Sequence, residues 1–295
     1  MKSSSSRQKS KVIAVVGPTA SGKTAYAIKL AKQIGGEIVS ADSRLVYKGF
    51  DIGTAKPTLE EREGIPHYMI DIVEPEINYS AGLYQKEASL VIEDILKRGK
   101  VPVVVGGTGL YIDILLKNYD LPKIIPDEKL RTELKELNNE ELFAFLEKLD
   151  PGACKSIDLN DRKKIIRAIE ILKGTSGDLE TSRGISESRY NVEWIGKNFD
   201  RKTLYERIGK RVDLMIENGL IEETKFLRKK HGDIPNLTDT IGYREILGYL
   251  NGEYSLEEAT DKLKQNTRNY AKRQLTWFRR NQDIKWDIYP EKLKR

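Results

Sequence analysis

Three continuous apolar runs in the first third of the chain predict buried strands. They are "VIAVVG" (Val12–Gly17), "EIVSAD" (Glu37–Asp42) and "VPVVVGG" (Val101–Gly107). Continuous rather than alternating apolar positions are typical of strands covered on both faces of a parallel sheet. The segments between them, "AYAIKLAKQIGG" and "YQKEASLVIEDILKRG", repeat apolar residues at helical spacing. This alternation of strand and helix predicts an α/β fold, whose ligands bind at the carboxyl ends of the strands.

The pattern changes after residue 120. The stretches "DEKLRTELKEL", "NEELFAFLEKL" and "DRKKIIRAIEILKG" predict amphipathic helices with no strand between them. The glycine- and serine-rich residues 174–188 predict a mobile loop, "VEWIGKNF" predicts one more strand, and the remainder is mostly helical. We therefore predict an α/β core formed by residues 1–120 and 196–295, interrupted by a helical insertion at 121–195.

The composition adds little to the fold but narrows the class of protein. The chain has 295 residues, of which 39% are hydrophobic and 33% are charged, as is typical of a soluble globular protein. The net charge of +6 favours a polyanionic partner only weakly, and a merely basic protein fits it equally well. One cysteine excludes an internal disulfide and fits a reducing compartment. We find no signal peptide and no membrane span, and expect a cytoplasmic monomer without an obligate protein partner.

The octapeptide "GPTASGKT" (Gly17–Thr24) predicts a phosphate-binding loop. It matches the pattern G-x-x-x-x-G-K-[ST], follows a predicted strand and precedes a predicted helix. Backbone N–H groups of such a turn, and of the helix that it opens, bind phosphate oxygens. Lys23 adds a positive charge, and the hydroxyl of Thr24 is the predicted ligand of Mg²⁺. The sequence thus predicts a P-loop NTPase-like parallel sheet flanked by helices. The predicted phosphate-binding residues are Gly17, Pro18, Thr19, Ala20, Ser21, Gly22, Lys23 and Thr24.

The residues at the other strand ends do not fit an ordinary nucleotide hydrolase. The strand "VPVVVGG" ends in glycines, where such enzymes usually carry an aspartate for Mg²⁺. The acidic residue within reach of the loop is instead Asp42, at the end of "EIVSAD". In a parallel sheet, Asp42 and Thr108 lie at the same edge as the loop, and we expect them to face the bound phosphate. Helix capping or a turn is the alternative role for both residues.

Several longer segments resemble the tRNA dimethylallyltransferases. They are "GPTASGKT", "SADSRLVYKGFDIGTAKPT", "YSAGLYQKEA", "VVGGTGLYI", "IGYREI" and "TRNYAKRQLTWFRR", which occur in the order of that family and span nearly the whole chain. The resemblance implies transfer of a dimethylallyl group from dimethylallyl diphosphate to N6 of the adenine immediately 3′ of the anticodon in tRNA. It also implies a requirement for Mg²⁺ and an insertion that grips the anticodon stem.

The residues agree with that chemistry. A diphosphate leaving group needs only to be bound and neutralised, which the loop, Lys23 and a metal at Thr24 would do. The exocyclic amine of adenine is a poor nucleophile, so a carboxylate that takes up its proton helps, and Asp42 is the candidate base. Thr108 would orient the amine or the diphosphate. Arg244, in "GYR", is a further candidate ligand of the diphosphate.

A wider set of residues is predicted to contact tRNA, whose target base must leave its stack to react. Leu45 stands where most members of the family carry glutamine, and leucine cannot hydrogen-bond a base edge. The basic helix before residue 174 and the segment "TRNYAKRQLTWFRR" supply positive charge, although such patterns taken alone are more often a solvated helix face and core aromatics. The predicted set is Asp42, Ser43, Arg44, Leu45, Thr54, Lys56, Thr108, Lys163, Lys164, Ile165, Ile166, Arg167, Arg268, Lys272 and Arg273.

Three other functions fit parts of the sequence. Transfer to a free adenine nucleotide uses the same chemistry, but it needs no helical insertion with a basic helix. A P-loop small-molecule kinase fits the loop but lacks the carboxylate after "VPVVV" and an arginine-rich lid. An RNA-binding protein without activity would not need a complete phosphate loop.

Overall fold

The computed structural model describes residues 9–122, 124, 127–174, 184–185 and 188–288. The chain forms two compact units, which are described separately: Met1–Leu116 with Arg189–Arg295, and Lys117–Ser188. The first unit begins with β1 (Lys11–Val16), α1 (Lys23–Ile34), β2 (Glu37–Ser40), β3 (His67–Tyr68), α2 (Ala81–Lys97), β4 (Pro102–Gly106) and α3 (Gly109–Leu116).

In the second unit, the described residues form helices and one short strand pair. Its elements are β5 (Tyr119–Asp120), α4 (Glu128–Lys135), α5 (Asn139–Leu149), a 3₁₀ turn (Ala153–Lys155), α6 (Arg162–Gly174) and β6 (Gly184–Ile185), which pairs with β5. Leucines of α4 and α5 pack against the isoleucines of α6 to form its core. The predicted loop at 174–188 falls largely outside the described residues.

The first unit then resumes and completes its sheet. It contributes β7 (Asn191–Gly196), α7 (Arg201–Glu217), α8 (Leu220–His231), α9 (Pro235–Thr238), α10 (Tyr243–Leu250), α11 (Leu256–Phe278) and β8 (Lys285–Trp286). The six strands are all parallel, in the order β3-β2-β4-β1-β7-β8. The predicted fold class, a parallel sheet flanked by helices with a helical insertion, is confirmed.

The C-terminal boundary of the predicted insertion is corrected. The strand β7 pairs with β1 along its whole length, with Val12 opposite Val192 and Ala14 opposite Trp194. Residues 191–195 therefore belong to the sheet, and the compact insertion spans 117–188 instead of 121–195. No helix among the described residues is long and apolar enough to cross a membrane.

The sheet core explains why the catalytic candidates lie at one edge. Every residue of β2 and β4 is buried, as are all but the first of β1, and α1 packs on these strands through Ala27, Ile28 and Ala31. Since the strands are parallel, the segments that follow β1, β2 and β4 emerge at the same end of the sheet.

Candidate active site

A cavity of about 460 Å³ opens at this end of the sheet. It is lined by the phosphate loop after β1, by the segment after β2, by the end of β4, and by residues of α7, α10 and α11. Two carboxylates, Asp42 and Asp239, line it together with an excess of cationic side chains. The cations are Lys23, Arg44, Arg211, Arg244 and Arg273. This charge balance suits an anionic ligand.

The phosphate loop adopts a tight turn that leads directly into α1. Gly22 has φ of 77°, a left-handed conformation that glycine adopts without strain, and α1 begins at the next residue. At Gly17 a Cβ atom would lie 2.2 Å from the carbonyl oxygen of Lys197, so the residue directly after β7 fits against the loop only because a side chain is absent. The first amides of α1 are thereby presented at the cavity, where an anion binds favourably.

One predicted phosphate donor is already committed within the protein. The backbone N–H of Thr19 donates to Oε1 of Gln274 at 2.8 Å, in a buried position. The amide of Thr19 is therefore not free to bind phosphate, although its side chain lines the cavity beside Lys23 and Thr24. The N–H of Ser21 likewise donates within the turn, to the carbonyl oxygen of Pro18 at 3.3 Å, so the amides that the loop can offer a ligand do not include those of Thr19 and Ser21.

Lys23 lies in an unusual electrostatic environment. Burial lowers the pKa of its ammonium group to about 8; the Asp42 carboxylate opposes this shift and the Arg211 guanidinium adds to it. The ammonium donates to the carbonyl oxygen of Pro18 at 3.1 Å, across the loop. Lys23 is thus held over the turn, between one acidic group and one basic group.

Arg211, on α7, is a member of the site that our sequence reasoning missed. Burial lowers the pKa of its guanidinium, and the charge of Asp42 opposes that shift. Its Nη2 donates to the carbonyl oxygen of Thr54 at 3.2 Å. Only the helical pattern of α7 was visible in the sequence, and that pattern does not reveal that this position points into the cavity.

The segments that carry Asp42 and Thr108 are joined directly. The N–H of Thr108 donates to the carbonyl oxygen of Ala41 at 3.2 Å, and the N–H of Ser43 donates to the Thr108 hydroxyl at 3.0 Å. At Gly106 a Cβ atom would lie 2.1 Å from the carbonyl oxygen of Ala41, which explains why β4 ends in glycine. The structure thus brings Asp42 and Thr108 together at the strand ends.

Tyr270, on α11, completes this side of the cavity. Burial, with the nearby charge of Asp42, raises the pKa of its phenol to about 12, and a hydrogen bond with Thr108 acts in the opposite direction. The guanidinium of Arg273 lies 5.6 Å from the centre of the Tyr270 ring. The tyrosine that sequence reasoning treated as a core aromatic therefore faces the candidate catalytic pair.

Arg244 lines the cavity, but a neighbouring acid largely neutralises its charge. Its Nε and Nη2 donate to Oε1 of Glu245 at 3.0 and 2.6 Å. The carboxylate of Glu245 is buried and also accepts from the backbone N–H of Gly242 at 2.8 Å. Arg244 therefore contributes less positive potential toward a diphosphate than we expected.

The loop after Asp42 reaches the cavity through Leu45 and Thr54. Glu223 of α8 fixes this loop by accepting from the N–H groups of Ile52 and Gly53 at 2.8 and 2.9 Å. The hydroxyl of Tyr243 donates to the same carboxylate at 2.6 Å. A half-buried acid from a distant helix therefore holds the "DIGT" segment.

Lys56 is paired with acidic side chains of the protein itself. Its side chain is only 5% exposed, and its ammonium forms ion pairs with Asp51 and Asp71 and donates to the carbonyl oxygen of Tyr47. The charge of Lys56 is thus satisfied inside the protein, and this arrangement gives no support to the predicted contact with tRNA.

Of the three basic residues predicted on α11, two are exposed and one is half-buried. Lys272 and Arg273 are exposed. Arg268 is half-buried, and its guanidinium lies 5.7 Å from the centre of the Tyr205 ring. Lys272 and Arg273 therefore present free surface to a polyanion, whereas part of Arg268 packs against the protein.

Within the helical unit, the basic face of α6 is smaller than predicted. Ile165 is fully buried in the core and Ile166 packs partly against it, so Ile165 cannot contact RNA. Arg167 donates to Glu170 and to the carbonyl oxygen of Ile124 at 3.0 and 2.9 Å. Lys163 and Lys164 are exposed, the latter paired with Asp161. These two lysines are the part of the predicted set that α6 offers to solvent.

Comparison with known proteins connects this site to one family. Sequence models of the IPP transferase and isopentenyl transferase families match residues 45–281 and 10–79. A tRNA dimethylallyltransferase of Pelotomaculum thermopropionicum is 45% identical, with 96% of this chain and 92% of that protein aligned. A tRNA dimethylallyltransferase 2 of Geotalea uraniireducens is 47% identical over 96% of this chain and 94% of its own length.

Solved structures give the same result. The tRNA isopentenylpyrophosphate transferase of Bacillus halodurans superposes with a TM-score of 0.71 at 43% identity, covering 95% of this chain and 89% of its own. A eukaryotic dimethylallyltransferase described as acting on tRNA gives a TM-score of 0.79 at 31% identity, covering 91% and 70%. The chain belongs to the tRNA dimethylallyltransferase family.

Proposed function

We propose that this enzyme transfers a dimethylallyl group from dimethylallyl diphosphate to N6 of the adenine that lies 3′-adjacent to the anticodon in tRNA. The observation that carries the proposal is the position of Asp42 and Thr108. Asp42 lines a cavity with five cationic side chains beside a complete phosphate loop, and the hydroxyl of Thr108 accepts from the N–H of Ser43, the residue after Asp42. A kinase of this fold would carry an acid for Mg²⁺ at the end of β4, where this chain has Gly106 and Gly107.

The donor's diphosphate would bind to the loop amides and to Lys23, with Arg211 close by. The bond between C1 of the prenyl group and the diphosphate oxygen breaks, and its electrons leave with the diphosphate. The positive charges of Lys23 and Arg211 stabilise the negative charge that develops there. Loss of the diphosphate leaves C1 with allylic cation character.

The adenine amine would then attack C1 from the side of Asp42. As the N6–C1 bond forms, the amine becomes acidic and Asp42 accepts its proton. The Thr108 hydroxyl, which receives the N–H of Ser43, would orient the amine through its remaining hydrogen-bonding capacity. No covalent enzyme intermediate is needed.

Mg²⁺ fits the donor set of this site. Thr24 lines the cavity, and the described residues include no cluster of three or more His, Cys, Asp or Glu side chains that could hold a metal by itself. Thr24 would supply one oxygen and the diphosphate the others, as is usual for Mg²⁺ at phosphate sites. The ion would neutralise part of the diphosphate charge.

The helical unit would bind the RNA backbone through Lys163 and Lys164, which its packing leaves exposed. On the core unit, Arg44, Lys272 and Arg273 would bind the anticodon stem-loop. Leu45 lines the cavity and would contact the flipped base through apolar surface. Transfer to a free adenine nucleotide is the alternative, and it gives no role to these exposed lysines.

The test supplies labelled dimethylallyl diphosphate and Mg²⁺ with unmodified tRNA, AMP or no acceptor. A matched tRNA with guanine in place of the target adenine is the control. We expect label only in the adenine-containing tRNA, located by nuclease mapping beside the anticodon. A parallel incubation with ATP in place of the labelled donor measures ATP turnover. Label in AMP, or ATP turnover without label transfer to tRNA, would contradict the proposal.

A further inference from the structure

Gln274 forms hydrogen bonds with two loops of the candidate active site. It lies on α11, within "AKRQLTW", and is 4% exposed. Its Oε1 accepts from the N–H of Thr19 at 2.8 Å, and its Nε2 donates to the carbonyl oxygen of Gly107 at 2.9 Å. Thr19 belongs to the phosphate loop, and Gly107 directly precedes Thr108. One side chain therefore bridges the leaving-group side and the acceptor side of the cavity.

The fit around this bridge is close. At Gly107 a Cβ atom would lie 2.1 Å from Nε2 of Gln274. One helical turn further along α11, Trp277 packs so closely on Gly109 that a Cβ there would meet its ring at 2.2 Å. The Trp277 indole N–H donates to Asp113 at 2.8 Å. The helix α11 is thus fixed to the β4–α3 segment at successive turns.

The bridge needs the chemistry of glutamine. It must accept a hydrogen bond from an N–H group and donate one to a carbonyl oxygen, and an amide does both. A carboxylate cannot donate, and an apolar side chain of equal length can do neither. Apolar anchoring of α11 does not depend on this residue, because Ala271, Leu275 and Phe278 bury the same helix.

We propose that Gln274 is a positioning residue: it sets the distance between the diphosphate loop and Thr108, and so aligns the leaving group with the attacking amine. The inference rests on the proposed function, which gives Thr108 its role. Misplacement of a catalytic group by ~1 Å can cost ~100-fold in rate.

The test is Gln274→Met, which keeps the length of the side chain, removes both hydrogen bonds and adds no charge. Its matched control is Gln265→Met, an exposed glutamine on the same helix. We expect kcat for tRNA prenylation to fall ~10- to 100-fold in Gln274→Met, with KM for tRNA within ~3-fold of wild type. Gln265→Met should behave like the wild type.

A double-mutant cycle separates positioning from general damage. If Gln274 acts through Thr108, its loss costs much less in a Thr108→Ala background, because the group that it positions is gone. Equal fold-losses in the two backgrounds would overturn the proposal, as would a Gln274→Met enzyme with wild-type kcat. Absence of activity in the wild-type enzyme would instead contradict the proposed function.

A measurement on the wild type keeps the inference testable if the variant does not fold. The N–H of Thr19 should exchange slowly with deuterium in the ligand-free protein, as followed by NMR, because it is buried and bonded to Gln274. Slow exchange supports the bridge. Exchange at the rate of an open loop shows that the bridge does not persist, and would overturn the proposal.

Discussion

The reduced pKa of Lys23 predicts how diphosphate binding depends on pH. Burial brings this pKa to about 8 in the empty site. At pH 7 about 90% of Lys23 is charged, and at pH 9 only about 10%, whereas a lysine with an ordinary pKa stays almost fully charged over this range. Since the charged form binds the anion, affinity should fall as the pH rises through the pKa of the free protein. The loss between pH 7 and pH 9 is about 10-fold.

The comparison enzyme is Lys23→Arg, whose guanidinium stays charged throughout this range. Inorganic pyrophosphate is titrated calorimetrically into both proteins at several pH values. The ionisation of pyrophosphate itself cancels in the ratio of the two dissociation constants. We expect that ratio to change about 10-fold in favour of the arginine variant between pH 7 and pH 9. A ratio that stays constant would refute the reduced pKa, and with it the burial argument for Lys23.

Three further predictions concern charged residues outside the cavity. Glu37 is buried, and its carboxyl pKa is lowered to about 2, chiefly by hydrogen bonds from Arg98. Glu37→Gln should therefore lower the free energy of unfolding by about 2 kcal/mol at neutral pH. In urea titrations, the difference in unfolding free energy between the wild type and Glu37→Gln should shrink as the pH falls from the ordinary carboxyl pKa toward the lowered pKa of Glu37. A difference that does not depend on pH would contradict this prediction. Replacing Lys163 and Lys164 by glutamine should reduce the slope of log affinity for tRNA against log salt concentration by about 1–2. The control Lys148→Gln, at an exposed lysine, should leave the slope unchanged. Equal slopes in the wild type and both variants would place α6 away from RNA. Lys56→Met should lower the free energy of unfolding by about 2 kcal/mol, because its ammonium is paired internally. The salt dependence of tRNA binding should not change. A less steep salt dependence would indicate that Lys56 does contact RNA.

The site residues that lie directly after buried strands could be predicted from the sequence. The loop at Gly17–Thr24, Asp42 and Thr108 each come just after a buried apolar run, and parallel pairing brings such segments to one edge. The hydrogen bonds between the Asp42 and Thr108 segments follow from that topology. For these residues, local sequence together with the rules of α/β sheets was sufficient.

The residues contributed by helices of the second core segment could not be predicted in the same way. Gln274 contacts Thr19 across 255 positions of sequence, and Arg211 and Glu223 reach the site from α7 and α8. Helical periodicity tells which face of a helix is apolar, but not how the helix is placed on the sheet. Their positions depend on tertiary packing, which no local pattern encodes.

Three of the predicted RNA contacts are engaged within the protein. Lys56 and Arg167 were selected for their charge, and both find acidic partners within the protein. Ile165 was selected as a neighbour of basic residues, and it lies in the core of the helical unit. A list of basic residues overstates a nucleic-acid surface whenever the partner acids lie far away in sequence or on the next helical turn.

Single-turnover kinetics of Asp42→Ala test the proposed chemistry most directly. We expect the rate of prenyl transfer to fall by ~10²- to 10⁴-fold, because the amine loses its proton acceptor. The affinities for tRNA and for pyrophosphate should stay within a few-fold of wild type, and pyrophosphate should bind the same or more tightly, because a negative charge near Lys23 is gone. A rate of transfer close to that of the wild type, or a loss that lies entirely in substrate binding, would show that Asp42 is not the base.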